Sequence, residues 1–314
     1  MNRRPCEILG LLVLAVLPLP AAEPDVSLSN ARSEVYKTVG DRNLRVHVFA
    51  PSGSTTNRPA IVFFFGGGWN TGSPKQFESH CRHFASRGMV ALTAEYRVRS
   101  RDGVAVVSCV NDAKTCLRWV RGNAVRLGID PERVVAAGGS AGGHLAAATA
   151  MLSDFEEEVE ALRATSAMPD ALVLFNPALV LAPLPPPPEE DSGDHETAPA
   201  EERVGLFRRM MLAAILRRER LGAEPEALSP IHHVTAGLPP TIIFHGTDDR
   251  TVPFWTAEAF TAAMRKAGNR CELVGYEGQG HGFFNVGREG GRYYRETLDA
   301  TDRFLVSLGY LEDP

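Results

Sequence analysis

A chain of 314 residues has room for one large α/β domain or two small ones. Its 44% apolar content is ordinary for a globular protein, and a formal charge of −5 with no clustered basic stretch argues against nucleic acid as a partner. The cysteines form no C-x-x-C pair, so their spacing does not call for a metal.

The first residues stand apart. Arg3 and Arg4 precede the apolar run 8–17, and Pro18 to Ala22 supplies a helix break followed by small residues. That order predicts a secretory signal peptide over 1–22, cleaved near Ala22 although Pro20-Ala21-Ala22 is not a clean A-x-A, and hence a secreted or periplasmic protein. The apolar run is too short to span a bilayer, so no stable membrane insertion is expected after signal removal. Cys6 precedes the run, which argues against lipid attachment there. Export would leave Cys81, Cys109, Cys116 and Cys271, an even number in an oxidising compartment. Cys109 and Cys116 lie about 10 Å apart along an expected helix, too far to bridge. A Cys81–Cys109 disulfide and four buried thiols both stay open.

From residue 31 onward the chain reads as one folded domain to 314. Residues 34–39 and 44–50 alternate apolar with polar side chains, predicting an antiparallel pair joined near Gly40-Asp41. Residues 60–65 (AIVFFF) are continuously apolar, as in a strand covered on both faces, and Gly66-Gly67-Gly68-Trp69 follows at once. A helix near 76–86 leads to a strand at 89–94, and a longer helix covers about 106–126, stopped by Gly128 and Pro131. Then come a strand over 133–137, a helix after Ser140 and a buried strand at 171–175. After an interruption the pattern resumes with strands at 241–245 and 271–276, a helix at 254–267 and a last helix at about 293–308. Strands alternating with helices predict an α/β fold whose mostly parallel central sheet carries helices on both faces. Ligands of such sheets lie beyond the carboxyl ends of the strands.

The interruption covers about 181–230. Pro183-Leu184-Pro185-Pro186-Pro187-Pro188 and the acidic run to Glu202 cannot pack as a helix or central strand. Beyond it, 203–221 has a helical period with an apolar stripe of Val204, Phe207, Met211 and Ile215. The reading is a lid insertion folded over the site, with a surface excursion as the alternative.

Gly138-Gly139-Ser140-Ala141-Gly142-Gly143-His144 lies between an apolar β-branched strand and a run of good helix formers. A strand entering a helix through G-x-S-x-G is a nucleophile elbow: the turn strains the serine backbone and exposes its hydroxyl above the sheet. A serine hydroxyl needs an adjacent base, and the base an orienting acid. After Ser140 two stretches follow strand ends, His245 to Pro253 and Gly278 to Phe283. His281, set between glycines, is the candidate base. Asp249, three residues before Val252-Pro253, is preferred over Asp248 as the acid, with Asp248 a turn or capping residue. His245 reads as a strand-end residue packed near the loop, and His232 and His233 as surface residues. An oxyanion needs backbone donors: the Ala141 amide directly after the serine, and the amides of Gly67 and Gly68 after the earlier strand.

FFGGGW at 64–69, EYR at 95–97, GGSAGGH at 138–144, HGTDDRTVP at 245–253 and GQGHGF at 278–283 occur in the order of the α/β-hydrolase fold. The chain resembles its branch of microbial esterases similar to hormone-sensitive lipase and to bacterial feruloyl and acetyl-xylan esterases. The resemblance implies a Ser140–Asp249–His281 triad, an oxyanion hole at Gly67, Gly68 and Ala141, and ester hydrolysis through an acyl-enzyme with no metal or organic cofactor. It departs in two places. Phe65 stands where the family usually has a histidine that holds the glycine loop, and Glu95 replaces the usual aspartate. Expected substrates are short-chain acyl esters, small or linked to plant polysaccharide as acetyl or feruloyl groups, with Trp69 closing the acyl pocket. Two alternatives share the fold: a serine peptidase of the prolyl-oligopeptidase type, for which too few residues precede 60 to form a propeller, and a non-catalytic binding relative. Nothing in the sequence sets the oligomeric state.

Overall fold

The structure is a computed structural model that describes residues 28–53, 56–155, 162, 164–184 and 218–313. The expected signal peptide, and residues 185–217 of the lid expected over about 181–230, lie outside these residues.

One eight-stranded sheet, in the order β1-β2-β4-β3-β5-β6-β7-β8, runs through the molecule. β1 (Arg32–Val39) and β2 (Arg42–Phe49) form the expected antiparallel pair, with Gly40 taking φ 57° in the turn. β2 lies antiparallel on β4 (Val90–Ala94), and from β4 onward the strands are parallel. β3 (Arg58–Phe64) sits between β4 and β5 (Ile129–Gly139), followed by β6 (Ala171–Phe175), β7 (Thr241–Gly246) and β8 (Cys271–Tyr276). The continuous apolar runs mark the middle of the sheet: β4, β6 and β7 are buried along their whole length, and β3 from Pro59 onward. Each large side chain covered this way contributes roughly 1.5–3 kcal/mol. In β8 only the two end residues are buried, as befits an edge.

The principal helices are α1 (Glu78–Ser86), α2 (Val106–Gly122), α3 (Ala141–Met151), α4 (Phe254–Lys266) and α5 (Arg292–Ser307). α2 buries Cys109, Val110, Ala113, Cys116, Leu117 and Val120, a stripe at three- and four-residue spacing that fits a helix lying on a sheet. Two elements differ from expectation. The helix expected over 106–126 breaks at Asn123, whose side-chain amide donates to the Trp119 carbonyl (2.8 Å) and competes with the backbone ladder. β5 begins at Ile129 instead of 133, and its register on β3 slips between Arg58 and Ala60 where Pro131 and its neighbours are accommodated.

The described cysteines, Cys81, Cys109, Cys116 and Cys271, are all free and buried, so the Cys81–Cys109 disulfide is not formed. Burial pushes the Cys271 thiol up to about 11 and raises the other three thiols well above their ordinary range.

The parallel strands end at one level. Phe64 is in register with Gly138, Gly139 with Phe175, Phe175 with Phe244 and Gly246 with Tyr276. Every motif singled out in the sequence therefore emerges at the same edge of the sheet.

Candidate active site

Ser140 follows β5 and precedes α3 with φ 54° and ψ −117°, a strained conformation for a residue with a side chain. The surroundings over-determine it. Its amide donates to the Phe175 carbonyl (2.9 Å), and its carbonyl accepts from the His144 amide (3.0 Å). The flanking glycines are required by space: a Cβ on Gly138 would stand 2.7 Å from the Phe64 carbonyl oxygen, and one on Gly142 would overlap the same oxygen. The close crossing of β3 with the start of α3 thus forces small residues on both sides of the serine.

Ser140 Oγ lies 2.9 Å from His281 Nε2, and His281 Nδ1 lies 2.6 Å from Asp249 Oδ2. These distances fit a neutral imidazole that donates from Nδ1 to the carboxylate and accepts the serine hydroxyl at Nε2. The Asp249 side chain is fully buried, while that of His281 is 24% exposed. The second carboxylate oxygen of Asp249 accepts the amides of Thr251 (2.8 Å) and Val252 (2.9 Å), which accounts for the spacing of the aspartate before Val252-Pro253. Burial by itself would push this carboxyl up. Hydrogen bonds from His245 and His281, the positive charge that His281 carries when protonated, and the Val252 amide overcome it and hold the carboxyl well below its ordinary range. Asp248 is exposed, and its amide donates to the Gln279 carbonyl (3.0 Å), a turn contact.

His245 is more than a strand-end residue. It is buried, its Nε2 donates to the Val252 carbonyl (2.8 Å), and the same nitrogen stands 3.4 Å from Asp249 Oδ2. It packs the acid loop and adds a second imidazole to the carboxylate. His232 and His233 are partly exposed and bond to Ser229 and to the Pro183 and Glu226 carbonyls.

The Ala141 amide opens α3, where no intrahelical acceptor exists. Across from it the glycine loop is held at its carbonyls. Gly67 takes φ 131° and its carbonyl accepts the amides of Asn70 and Thr71 (both 3.1 Å). A peptide group is planar and trans, so fixing the Gly67 carbonyl also fixes the Gly68 amide on the opposite side. The Gly68 carbonyl accepts from Arg220 (2.8 Å), a residue of the short helix Arg218–Leu221 where the helix expected over 203–221 ends. Trp69 is buried with φ 55°, its ring set edge-on to His144 (5.1 Å), and its indole nitrogen finds no acceptor among the described residues.

Residues that sequence reading missed complete the picture. Asn176 follows β6 with φ 35°, accepts the Gly282 amide (3.1 Å), and sets its own amide nitrogen 3.5 Å from His281 Nε2. An asparagine between a buried strand and Pro177 was the available signal, since asparagine tolerates the left-handed region. Gln76 accepts the Gly66 amide (2.6 Å), and nothing near it in sequence marks it out.

The chain matches the BD-FAE family over residues 46–264 and the dienelactone hydrolase family over residues 224–306. Among solved structures, the apo form of Thermogutta terrifontis esterase 2 superposes with a TM-score of 0.80 at 48% identity, covering 92% of this chain and 98% of that one. The same esterase has been solved bound to propionate and to butyrate. Isoprenylcysteine alpha-carbonyl methylesterase of Arabidopsis thaliana is 29% identical over 80% of this chain and 56% of its own. Esterase LipC of Mycobacterium tuberculosis is 30% identical over 73% of this chain and 54% of its own. The chain spans about half the length of the curated relatives it matches. By family match, by similarity along nearly its whole length to a solved esterase and by its sheet, this chain belongs to the BD-FAE family of α/β-hydrolase-fold esterases, in the branch similar to hormone-sensitive lipase.

Proposed function

We propose that the chain is a serine carboxylesterase of short-chain acyl esters, with Ser140 as nucleophile, His281 as general base and Asp249 as its orienting acid. The single observation that carries the reading is the unbroken line Ser140 Oγ to His281 Nε2 (2.9 Å) and His281 Nδ1 to Asp249 (2.6 Å). As Ser140 attacks the ester carbonyl, its proton passes to His281 Nε2, and the Asp249 carboxylate offsets the charge of the imidazolium. The tetrahedral oxyanion is held by the amides of Gly67, Gly68 and Ala141, donors aimed before charge develops. His281 then gives the proton to the departing alcohol. Water, activated by the same imidazole, attacks the acyl-enzyme and frees the acid.

The propionate and butyrate found on the Thermogutta esterase support an acyl group of roughly two to four carbons. Acetyl and feruloyl esters of plant polysaccharide belong to the substrates to be tried, and Trp69 remains the proposed wall of the acyl pocket. We also propose that residues 1–22 direct export, giving a secreted or periplasmic enzyme.

The test is a p-nitrophenyl ester series from acetate to decanoate, run beside acetylated xylan, methyl ferulate and a peptide p-nitroanilide. Ester turnover that peaks at two to four carbons and falls by roughly a millionfold in Ser140→Ala is expected. Anilide hydrolysis exceeding ester hydrolysis would favour the peptidase, and no turnover of any substrate the binding relative.

A further inference from the structure

The glycine loop and the histidine loop are joined a second time, away from the triad. Gly66 leans on the nucleophile: a Cβ built on it would stand 3.4 Å from the Ser140 Cβ and 3.0 Å from the Gly139 carbonyl oxygen. The Gly66 amide donates to Gln76 Oε1 at 2.6 Å. Gln76 Nε2 donates to Asn285 Oδ1 at 2.9 Å, a contact spanning 209 positions of sequence. Asn285 Nδ2 in turn donates to the carbonyl of Gly282, the residue directly after His281, at 2.8 Å. A line of side-chain amides thus runs from the neighbour of the nucleophile to the neighbour of the base.

Both ends of this line are anchored in the core. Gln76 lies on the 3-10 turn Pro74–Phe77, capped by Ser73 and followed by Phe77, which is buried among Phe63, Phe175 and Phe284. Asn285 follows Phe283 and Phe284, both buried. The chemistry of each position is constrained. A side chain between Gly66 and Asn285 must accept an N–H at one end and donate one at the other, which an amide does and a carboxylate or a hydrocarbon does not. Asn285 must accept from Gln76 while donating to Gly282, so its amide cannot turn over without losing both bonds.

We propose that Gln76 and Asn285 are positioning residues for the reaction. They form an amide strut that fixes the separation between the oxyanion-binding loop and the loop carrying His281. The inference rests on the esterase reading above and adds to it residues that touch neither the substrate nor the reacting atoms. An error of about 1 Å in such a separation can cost a hundredfold in rate, because donor and base must both meet the tetrahedral centre. The ground-state ester makes less use of the strut than the transition state does, so turnover suffers and substrate affinity does not.

The experiment compares wild type with Gln76→Met, Gln76→Glu, Asn285→Ala and the double variant Gln76→Met/Asn285→Ala, using p-nitrophenyl butyrate and, separately, paraoxon as a one-step label of the serine. Gln76→Met and Asn285→Ala should each lose roughly ten- to a hundredfold in kcat with KM within about twofold, and paraoxon labelling should slow in parallel. Gln76→Glu keeps the acceptor for Gly66 but loses the donor to Asn285, and should fall between wild type and Gln76→Met. The double variant should be no slower than the worse single one, because a strut cut once is already cut. Amide hydrogen exchange at Gly66 supplies a readout free of turnover: it should quicken in Asn285→Ala although Asn285 does not touch Gly66. If Gln76→Met does not fold, Gln76→Glu and Asn285→Ala carry the test, since one keeps the Gly66 bond and the other alters a half-buried position. Wild-type kcat in these variants, a rise in KM alone, additive losses, or Gly66 exchange unmoved by Asn285→Ala would each overturn the strut. A wild type that neither hydrolyses esters nor takes the paraoxon label would overturn the esterase reading instead, and the exchange result would still decide the strut.

Discussion

Tyr96 holds Phe65 at two points. Its ring lies nearly parallel to the Phe65 ring, with centroids 4.1 Å apart and planes at 16°, and its hydroxyl donates to the Phe65 carbonyl at 2.7 Å. Phe65 is 1% exposed, and a Cβ on Gly72 would stand 2.9 Å from its Cε2, so the phenyl ring fills the floor beneath the turn that the glycine loop makes. Where the family usually anchors this loop with a histidine, here the anchor is a packed ring. Phe65→Ala should cost about 3–5 kcal/mol, because the cavity lies between β-sheet and loop and neither can collapse into it. In the folded variant kcat should fall more than KM rises. Tyr96→Phe keeps the stack and loses the hydrogen bond, for about 1 kcal/mol. Denaturant midpoints and Michaelis parameters on short-chain esters measure both, and a folded Phe65→Ala with unchanged turnover would show the loop to be rigid without the ring.

The neighbouring aspartates should separate cleanly. Asp249→Asn places an amide against His281 Nδ1 and invites the wrong tautomer, and turnover should drop by roughly 10⁴. Asp248→Asn alters an exposed side chain and should leave activity within a few-fold. Steady-state kinetics of both proteins check this, and the opposite ranking would move the acid to Asp248.

Two buried histidines should make the fold sensitive to acid. His80 is enclosed by the rings of Phe63, Phe77, Phe175, Phe284 and Tyr294, neither ring nitrogen has a partner among the described residues, and desolvation with the nearby charge of His83 brings its pKa down to about 3. Desolvation brings His144 down to about 4, against a hydrogen bond to the Leu228 carbonyl that works the other way. Above about pH 6.5 each is neutral whether folded or unfolded, and its contribution is fully present. As pH falls below that, the unfolded chain takes up protons that the folded chain refuses, and stability drops by up to about 1.4 kcal/mol per unit per histidine until the folded pKa is reached. Urea midpoints between pH 7 and pH 5 should show this slope, and His80→Phe should flatten it by about half. An unchanged slope in that variant would mean His80 is not held neutral.

The thiols give a simpler check. With burial raising every described cysteine, Cys81, Cys109, Cys116 and Cys271 should stay unlabelled by a disulfide reagent at pH 8 and all react in denaturant. Peptide mapping of the labelled protein reads the outcome. Labelling of Cys81 or Cys109 that needs prior reduction would reveal the bridge that the structure lacks.

Strands β6, β7 and β8 could be read from sequence to within a residue, because each is a short, mostly apolar or β-branched run closed by asparagine or a turn. The placement of Ser140, Asp249 and His281 was readable for a related reason: each lies within five residues of the end of a strand, so order along the chain translates into position above the sheet. Partners set by distant contacts were not readable. Gln76 and Asn285 are ordinary amides in sequence, and only the fold brings them within 2.9 Å. The two-fold role of His245 was hidden because burial and a contact four residues away look alike in a string of letters. The break at Asn123 turned on a side chain choosing its own helix's carbonyl over the solvent.

At the two ends of the expected lid, the Leu181 amide donates to Ser229 Oγ (2.9 Å) and the Leu179 carbonyl accepts the Ile231 amide (3.1 Å), so the ends are clasped together. That clasp sits on α3 through the His144–Leu228 bond (2.7 Å), one turn from Ser140. A segment that leaves and returns through the same gate can change length or composition at little conformational cost, since closing a longer loop grows only with the logarithm of its size. The strands that position Ser140, His281 and Asp249 lie outside this loop, so its length and composition can change while they are left untouched.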